Sequence, residues 1–304
     1  MHVIFRETHG MEETAVPQDP GQEPADLVVL SFSDSDLGAF AAGWREARGR
    51  DAGFPSLRLV NLGSLLHPLS VDTYVERTLS GAKAILIRLI GGMPYWSYGL
   101  QQVETLARSR GIALAVLPGD GRVDARLDAA STLPVPVLRD LARNCDAGGV
   151  AAACSALVRL ARVAGLVDAA LPDSAPVPEA GGWHPEHGVI DPAAFVRDPA
   201  RPLVLIVFYR SYLTAHDLDP FAVLHAAFAH RGFDAVSIFV PSLKAPTVRG
   251  QVDQWVRALS PDAIINATAF SARGEEGDTP LDGAGVPVLQ LALATCARTA
   301  WAGT

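Results

Sequence analysis

Between Ala84 and Ile90 the chain reads AILIRLI, six apolar residues around one charge. A short run that is apolar at every position makes a strand buried on both faces, as found in a parallel sheet covered by helices on each side. Arg88 cannot remain inside such a sheet alone, so it must meet a carboxylate or reach a cleft near the strand's C-terminal end. Gly91 and Gly92 follow, and paired glycines allow a sharp turn and a close approach of backbone to ligand. Ligands of open α/β sheets collect beyond the carboxyl ends of the strands. Upstream, Val71, Tyr74, Val75 and Thr78 fall at helical spacing after His67-Pro68, and Gly81 closes that helix.

The same alternation recurs along the chain. Val3 to Phe5 reads as an edge strand. Leu27 to Phe32, Leu57 to Leu62 and Ile112 to Leu117 read as further strands, with helices over Leu37–Arg48 and Tyr98–Arg110. Ser33, Asp34, Ser35 and Asp36 supply caps for the first helix and Gly111 ends the second. From Leu133 to about Val167 the pattern is helical. Six prolines, with Gly181 and Gly182, then crowd residues 171–200, which read as a linker or a surface excursion. Beyond it the outline repeats: strands at Leu203–Tyr209, Ala235–Val240, Ala263–Phe270 and Val286–Leu293, and helices over Asp219–His230, with Asp219 as cap, and Val248–Leu259. The expectation is an α/β protein of two wound parallel-sheet units, Rossmann- or flavodoxin-like, with right-handed crossovers. They span 1–170 and 201–304, the second cut short at its C-terminal end.

At 304 residues the chain exceeds one ordinary domain. Its net charge of -8 lacks the basic footprint of a nucleic-acid binder. Three widely spaced cysteines, Cys145, Cys154 and Cys296, match neither a disulfide framework nor a metal knuckle. With no signal peptide at the N-terminus and no apolar run of membrane length, the expected setting is the cytoplasm.

No phosphate loop, dinucleotide-binding glycine pattern or nucleophile elbow is present in the sequence. Asp34 and Asp36 could hold a metal but read as helix caps, and His67 reads as a turn residue. His184 and His187 come closest to metal-ligand spacing; their Pro/Gly-rich setting, with no further histidine or cysteine near in sequence, argues against a site. His225 and His230, five apart, read as surface. What remains stands at strand ends: Arg88, Gly91 and Gly92; Tyr209 and Arg210; Asn266 and Thr268. These guanidinium, hydroxyl and amide groups suit an anionic or amide-bearing ligand.

Three stretches carry a resemblance: HPLSVDTYVERTLSGAKAILIRLIGGMPYWSYGL, PLVLIVFYRSYLTAHDLDPFAVLHAAFAHRGFDAVSIFVPSLK, and PDAIINATAFSA followed by GVPVLQLALA. In this order they resemble the N-terminal part of the large subunit of aerobic cobaltochelatase, a family related to the porphyrin-binding large subunit of magnesium chelatase. The early SFSDSDLGAFAAGWREA segment favours the cobalt type. The resemblance implies ATP-dependent insertion of Co2+, as substrate, into hydrogenobyrinic acid a,c-diamide on the aerobic route to cobalamin. It implies partner subunits, one an AAA+ ATPase, that handle ATP and Mg2+. It also implies that Arg88, Gly91, Gly92, Tyr209, Arg210, Asn266 and Thr268 contact a ring edged by carboxylates and carboxamides. Family members are much longer, so the piece is expected to be inactive alone, and no catalytic or metal-ligating residue is assigned.

Other readings stay open. One is a docking head for the partner subunits or the rest of the same subunit, and another is a porphyrin-binding subunit of the magnesium chelatase type. A third is a free-standing two-lobed binding protein of periplasmic type, against which the missing signal peptide counts.

Overall fold

The computed structural model describes residues 16–172, 175–269, 273, 277–294 and 298–301. The expected strand at Val3–Phe5 and Cys296 lie outside them. The chain divides into two compact units, one reaching Val177 and taking in Thr214–His216, the other formed by Pro178–Leu213 and the chain from Asp217 onward.

In the first unit, strands β1 (Leu27–Ser31), β2 (Leu57–Asn61), β3 (Ala84–Leu89) and β4 (Ala113–Pro118) form an all-parallel sheet in the order β2-β1-β3-β4. Successive side chains along a strand face opposite ways, so an apolar run feeds two cores at once. Val28, Leu30, Ile85 and Ile87 join one core with Val71 and Tyr74 of helix α2 (Pro68–Arg77) and Val103 of α3 (Ser97–Arg110). Leu27, Val29 and Leu86 join the other, with Phe40 of α1 (Asp34–Arg50), Leu141 of α5 (Val135–Ala147) and Leu157 of α6 (Val150–Val163). The Ala84–Ile90 run thus lies in a sheet covered on both faces. A short α4 (Ala125–Ala130) precedes α5. Helices α1 and α6 pack closely because Gly43 faces Ala153 and Cys154, where a Cβ would come within 2.6 Å of the Cys154 nitrogen. The expected helical stretch over 133–167 breaks in two at Gly148 and Gly149, whose φ values of +68° and +84° suit glycine.

In the second unit β7 (Leu203–Tyr209), β8 (Asp234–Val240), β9 (Ala263–Asn266) and β10 (Val288–Gln290) are parallel. Their order, β10-β9-β7-β8, repeats that of the first unit, the first parallel strand of each unit lying between the second and third. This sheet is mixed, because β5 (Gly181–His184) and β6 (Gly188–Ile190) add an antiparallel hairpin beyond β8. The expected linker is therefore a connector only in part. Gly181 and Gly182 let the hairpin backbone lie against Phe239 and Ile190, and Trp183 buries its ring.

Three boundaries differ from expectation. Helix α7 (Arg210–Ala215) follows β7 directly and α8 (Asp219–His230) comes next, with Leu218 at its cap and Asp219 inside its first turn. Strand β9 ends at Asn266 and β10 is a short exposed edge. Helix α9 (Pro246–Leu259) covers the sheet through Val252 and Val256, and α10 (Arg298–Trp301) is a single turn.

Candidate functional site

In a wound sheet, a crevice opens where the strand order reverses. In the first unit that point lies between β1 and β3, with Ser31 in register opposite Arg88. In the second it lies between β7 and β9, where Val207 is opposite Asn266. Each unit therefore carries expected ligand residues at its own reversal point.

Arg88 is 2% exposed. Its guanidinium donates to Asp36 Oδ1 at 3.2 Å and to Asp146 Oδ1 at 3.0 Å. Asp36 takes the Ser31 hydroxyl at 2.8 Å on its other oxygen, and its own N–H donates to Ser33 Oγ at the helix cap. The required carboxylates are thus present, one of them from the serine-aspartate cluster, and that cluster caps α1. Asp34 accepts from Asn61 Nδ2 at 2.7 Å. Asp146 is the partner that sequence reasoning missed, having no local signal at the end of α5. Beside it, burial pushes the Cys145 thiol up to about 12, so the group is protonated and not a nucleophile at neutral pH. Gly91 and Gly92 both have φ of +80°, and they lead the chain into a turn that presents Tyr95 to solvent.

At the second reversal point, Asn266 and Thr268 are each 1% exposed and bonded together: Thr268 donates to Asn266 Oδ1 from its hydroxyl at 2.8 Å and from its N–H at 3.2 Å. Asn266 Nδ2 donates to Gln290 Oε1 at 2.9 Å, and Gln290 Nε2 donates to the Thr268 carbonyl. Tyr209 ends β7. Arg210 opens α7, its Nε donating to the Pro178 carbonyl at 2.8 Å, and its partial burial lowers the guanidinium pKa. Gln290 was not expected; β10 had shown only as an apolar run.

The histidines depart from expectation. His67 caps α2, its Nδ1 accepting from Leu69 N–H at 3.1 Å. His230 is exposed. His225 is not surface: it is 5% exposed, shares the buried face of α8 with Phe221, and its Nε2 is 2.8 Å from Ser237 Oγ on β8. Burial, with His184 nearby, lowers its pKa to about 4. Its ring lies 5.2 Å from that of His184, so a further histidine does stand beside His184. The separation along the chain hid it.

No helix among the described residues is long and apolar enough to cross a membrane. The family model described as CobN/Magnesium Chelatase matches residues 145–304. An aerobic cobaltochelatase subunit CobN from Sinorhizobium sp is 35% identical over 316 residues, covering 99% of this chain and 24% of that protein. The protein of the same description from Pseudomonas aeruginosa is 32% identical over 314 residues, again covering 99% and 24%. Among solved structures, the catalytic subunit of cobaltochelatase from Mycobacterium tuberculosis superposes with a TM-score of 0.68 at 19% identity, over 91% of this chain and 22% of that one. That superposition supports the α/β fold. The chain spans about a quarter of the length of these curated relatives.

Proposed function

The chain belongs to the CobN/Magnesium Chelatase family, and from that premise we propose that it is the tetrapyrrole-binding share of an ATP-dependent cobaltochelatase large subunit. The observation that carries the reading is alignment over 99% of the chain with two proteins that are both described as aerobic cobaltochelatase subunits. The ligand is hydrogenobyrinic acid a,c-diamide and Co2+ is the metal inserted. ATP and Mg2+ are handled by partner subunits, one an AAA+ ATPase, in the cytoplasm. Arg210, Tyr209 and the Asn266–Thr268 pair meet the ring's carboxylates and carboxamides at one strand-order reversal; Gly91 and Gly92, beside Arg88, shape the other. Charge-assisted and amide hydrogen bonds suit that periphery.

One observation favours a second reading, a docking head without a small-molecule site. Arg88 is engaged by two carboxylates, and Asn266 and Thr268 bond to one another and to Gln290. Titrating the purified chain with hydrogenobyrinic acid a,c-diamide, followed by ring absorbance and quenching of its five tryptophans, separates the two. Saturable binding is expected. A folded sample that leaves the ring spectrum unchanged overturns the ligand-binding role and leaves the docking head. Tighter binding of a porphyrin in the same titration would move the assignment to the magnesium type.

A further inference from the structure

Two imidazoles and a carboxylate converge on the tip of the β5–β6 hairpin. The potential ligand atoms of His184, Glu186 and His187 lie within 4.8 Å of one another. The turn geometry brings them together: His187 N–H donates to the His184 carbonyl at 3.2 Å, closing a four-residue turn whose first and last side chains are neighbours. Pro185 fixes φ at the second position, and Gly188, with φ of +66°, takes the chain back into β6. The two imidazole rings stack with centroids 4.9 Å apart and planes at 22°. Glu186 N–H donates to His184 Nδ1 at 3.3 Å, which sets the orientation of the ring over the turn; an ion would take that lone pair in exchange for this long bond.

The turn has a firm base. Trp183 is buried against Phe208, and His184 rests on His225, itself tied to Ser237 on β8. Glu186 and His187 are exposed, so an ion has access from solvent. Holding ligands in one place before the ion arrives removes much of the ordering cost of binding.

We propose that the His184–Glu186–His187 turn holds one divalent transition-metal ion of the zinc, nickel and cobalt(II) class, with its remaining coordination positions open to water or an incoming ligand. Two neutral imidazoles and one carboxylate are the donor set such ions favour over magnesium or calcium, which take oxygen. The site lies wholly in the second unit and does not rest on the tetrapyrrole-binding role.

Adding Co2+ alone to the whole chain and recording visible d–d absorption tests it, with calorimetry giving the stoichiometry. The expected result is one ion per chain, displaced by Zn2+, with the d–d band lost in both His184→Gln and His187→Gln and kept in His230→Gln. His187 is exposed, so His187→Gln serves as the readout if His184→Gln disturbs the hairpin. No saturable band in the parent chain, a band that survives His187→Gln, or a thiolate-to-cobalt charge-transfer band would each overturn the proposal.

Discussion

Arg88 of β3 and Asp36 of α1 are joined across the first unit's strand-order reversal, Nη1 to Oδ1 at 3.2 Å, with the arginine side chain almost wholly enclosed. A guanidinium in that position needs its carboxylates to stay charged, and they need it. Breaking a buried pair by removing one partner commonly costs about 3–5 kcal/mol; the value here is at the lower end because Asp146 is partly solvated. Arg88→Met is therefore expected to lower unfolding free energy by about 3 kcal/mol in urea titration. Asp146→Asn costs less. If Arg88→Met left stability unchanged, the ion pair would not hold this end of the sheet to α1 and α5.

Asp26 and Ser56 tie the starts of β1 and β2. The Ser56 hydroxyl donates to Asp26 Oδ2 at 2.6 Å, its N–H to the same oxygen at 3.0 Å, and Asp26 N–H returns a bond to Ser56 Oγ. The hydroxyl bond is the main reason that the carboxyl sits below its ordinary range. A carboxyl with a lowered folded pKa stabilises the fold above its unfolded value, and that contribution is lost as pH falls through the folded value. Ser56→Ala should therefore cost about 2 kcal/mol at pH 7, with the gap from the parent chain narrowing below about pH 4. Denaturant titrations at pH 7 and pH 3 check both points; an equal gap at both would refute the assignment.

Gly92 has φ of +80° and ψ of -165°, a region in effect reserved for glycine, whereas Gly111 at the end of α3 has φ of +66° and ψ of 32°, which other residues tolerate at a cost. Gly92→Ala is expected to lose about 2–3 kcal/mol and Gly111→Ala about 1 kcal/mol. Gly92→Ala should also shift the Met93–Trp96 turn, and with it Tyr95, readable by tyrosine fluorescence or by amide exchange at the turn.

The repeated wound topology was legible in the sequence because it depends on period and punctuation. Apolar runs at Leu27, Ala84, Leu203 and Ala235 could be buried on both faces only in a covered sheet, and Gly111 lies where α3 ends; α2 ends earlier than expected, at Arg77 with Thr78 as its cap, and Gly81 closes only the short 3-10 turn that follows. Arg88's need for a carboxylate was legible for the same reason, since a lone charge in an apolar run has few outcomes. Asp146 as its second partner was not, because nothing local distinguishes it from other acids on a helix. The hairpin was read as linker because Pro and Gly dominate residues 171–200, and composition alone cannot say that Gly181 and Gly182 serve close strand packing. His225 was misread for a related reason: the spacing to His230 was considered, whereas the four-residue spacing to Phe221 places it on the inner face of α8.

The last expectation concerns Gln290, whose exposed side chain bonds to Asn266 and Thr268 from the edge strand β10. Its carboxamide receives Asn266 Nδ2 and donates to the Thr268 carbonyl, using the groups that a carboxamide on a ligand ring would use. Asn266 and Thr268 are enclosed, while Gln290 is at the surface on the edge strand β10. A ring carboxamide that bonds to this pair from the β10 side would take the place of Gln290. Gln290→Ala should remove that internal competitor at a cost of about 1–2 kcal/mol, because the enclosed Asn266 Nδ2 loses its bond to Gln290. One neutral hydrogen bond is worth about 1 kcal/mol, so hydrogenobyrinic acid a,c-diamide should bind about fivefold more tightly to Gln290→Ala than to the parent chain. Asn266→Ala should abolish that gain and also destabilise the fold by about 2–3 kcal/mol, because the enclosed Thr268 N–H and hydroxyl lose their bonds to Asn266 Oδ1. Unchanged affinity in Gln290→Ala would mean that the Asn266–Thr268–Gln290 network is a structural closure of the sheet edge, and that the macrocycle, if it binds, does so elsewhere.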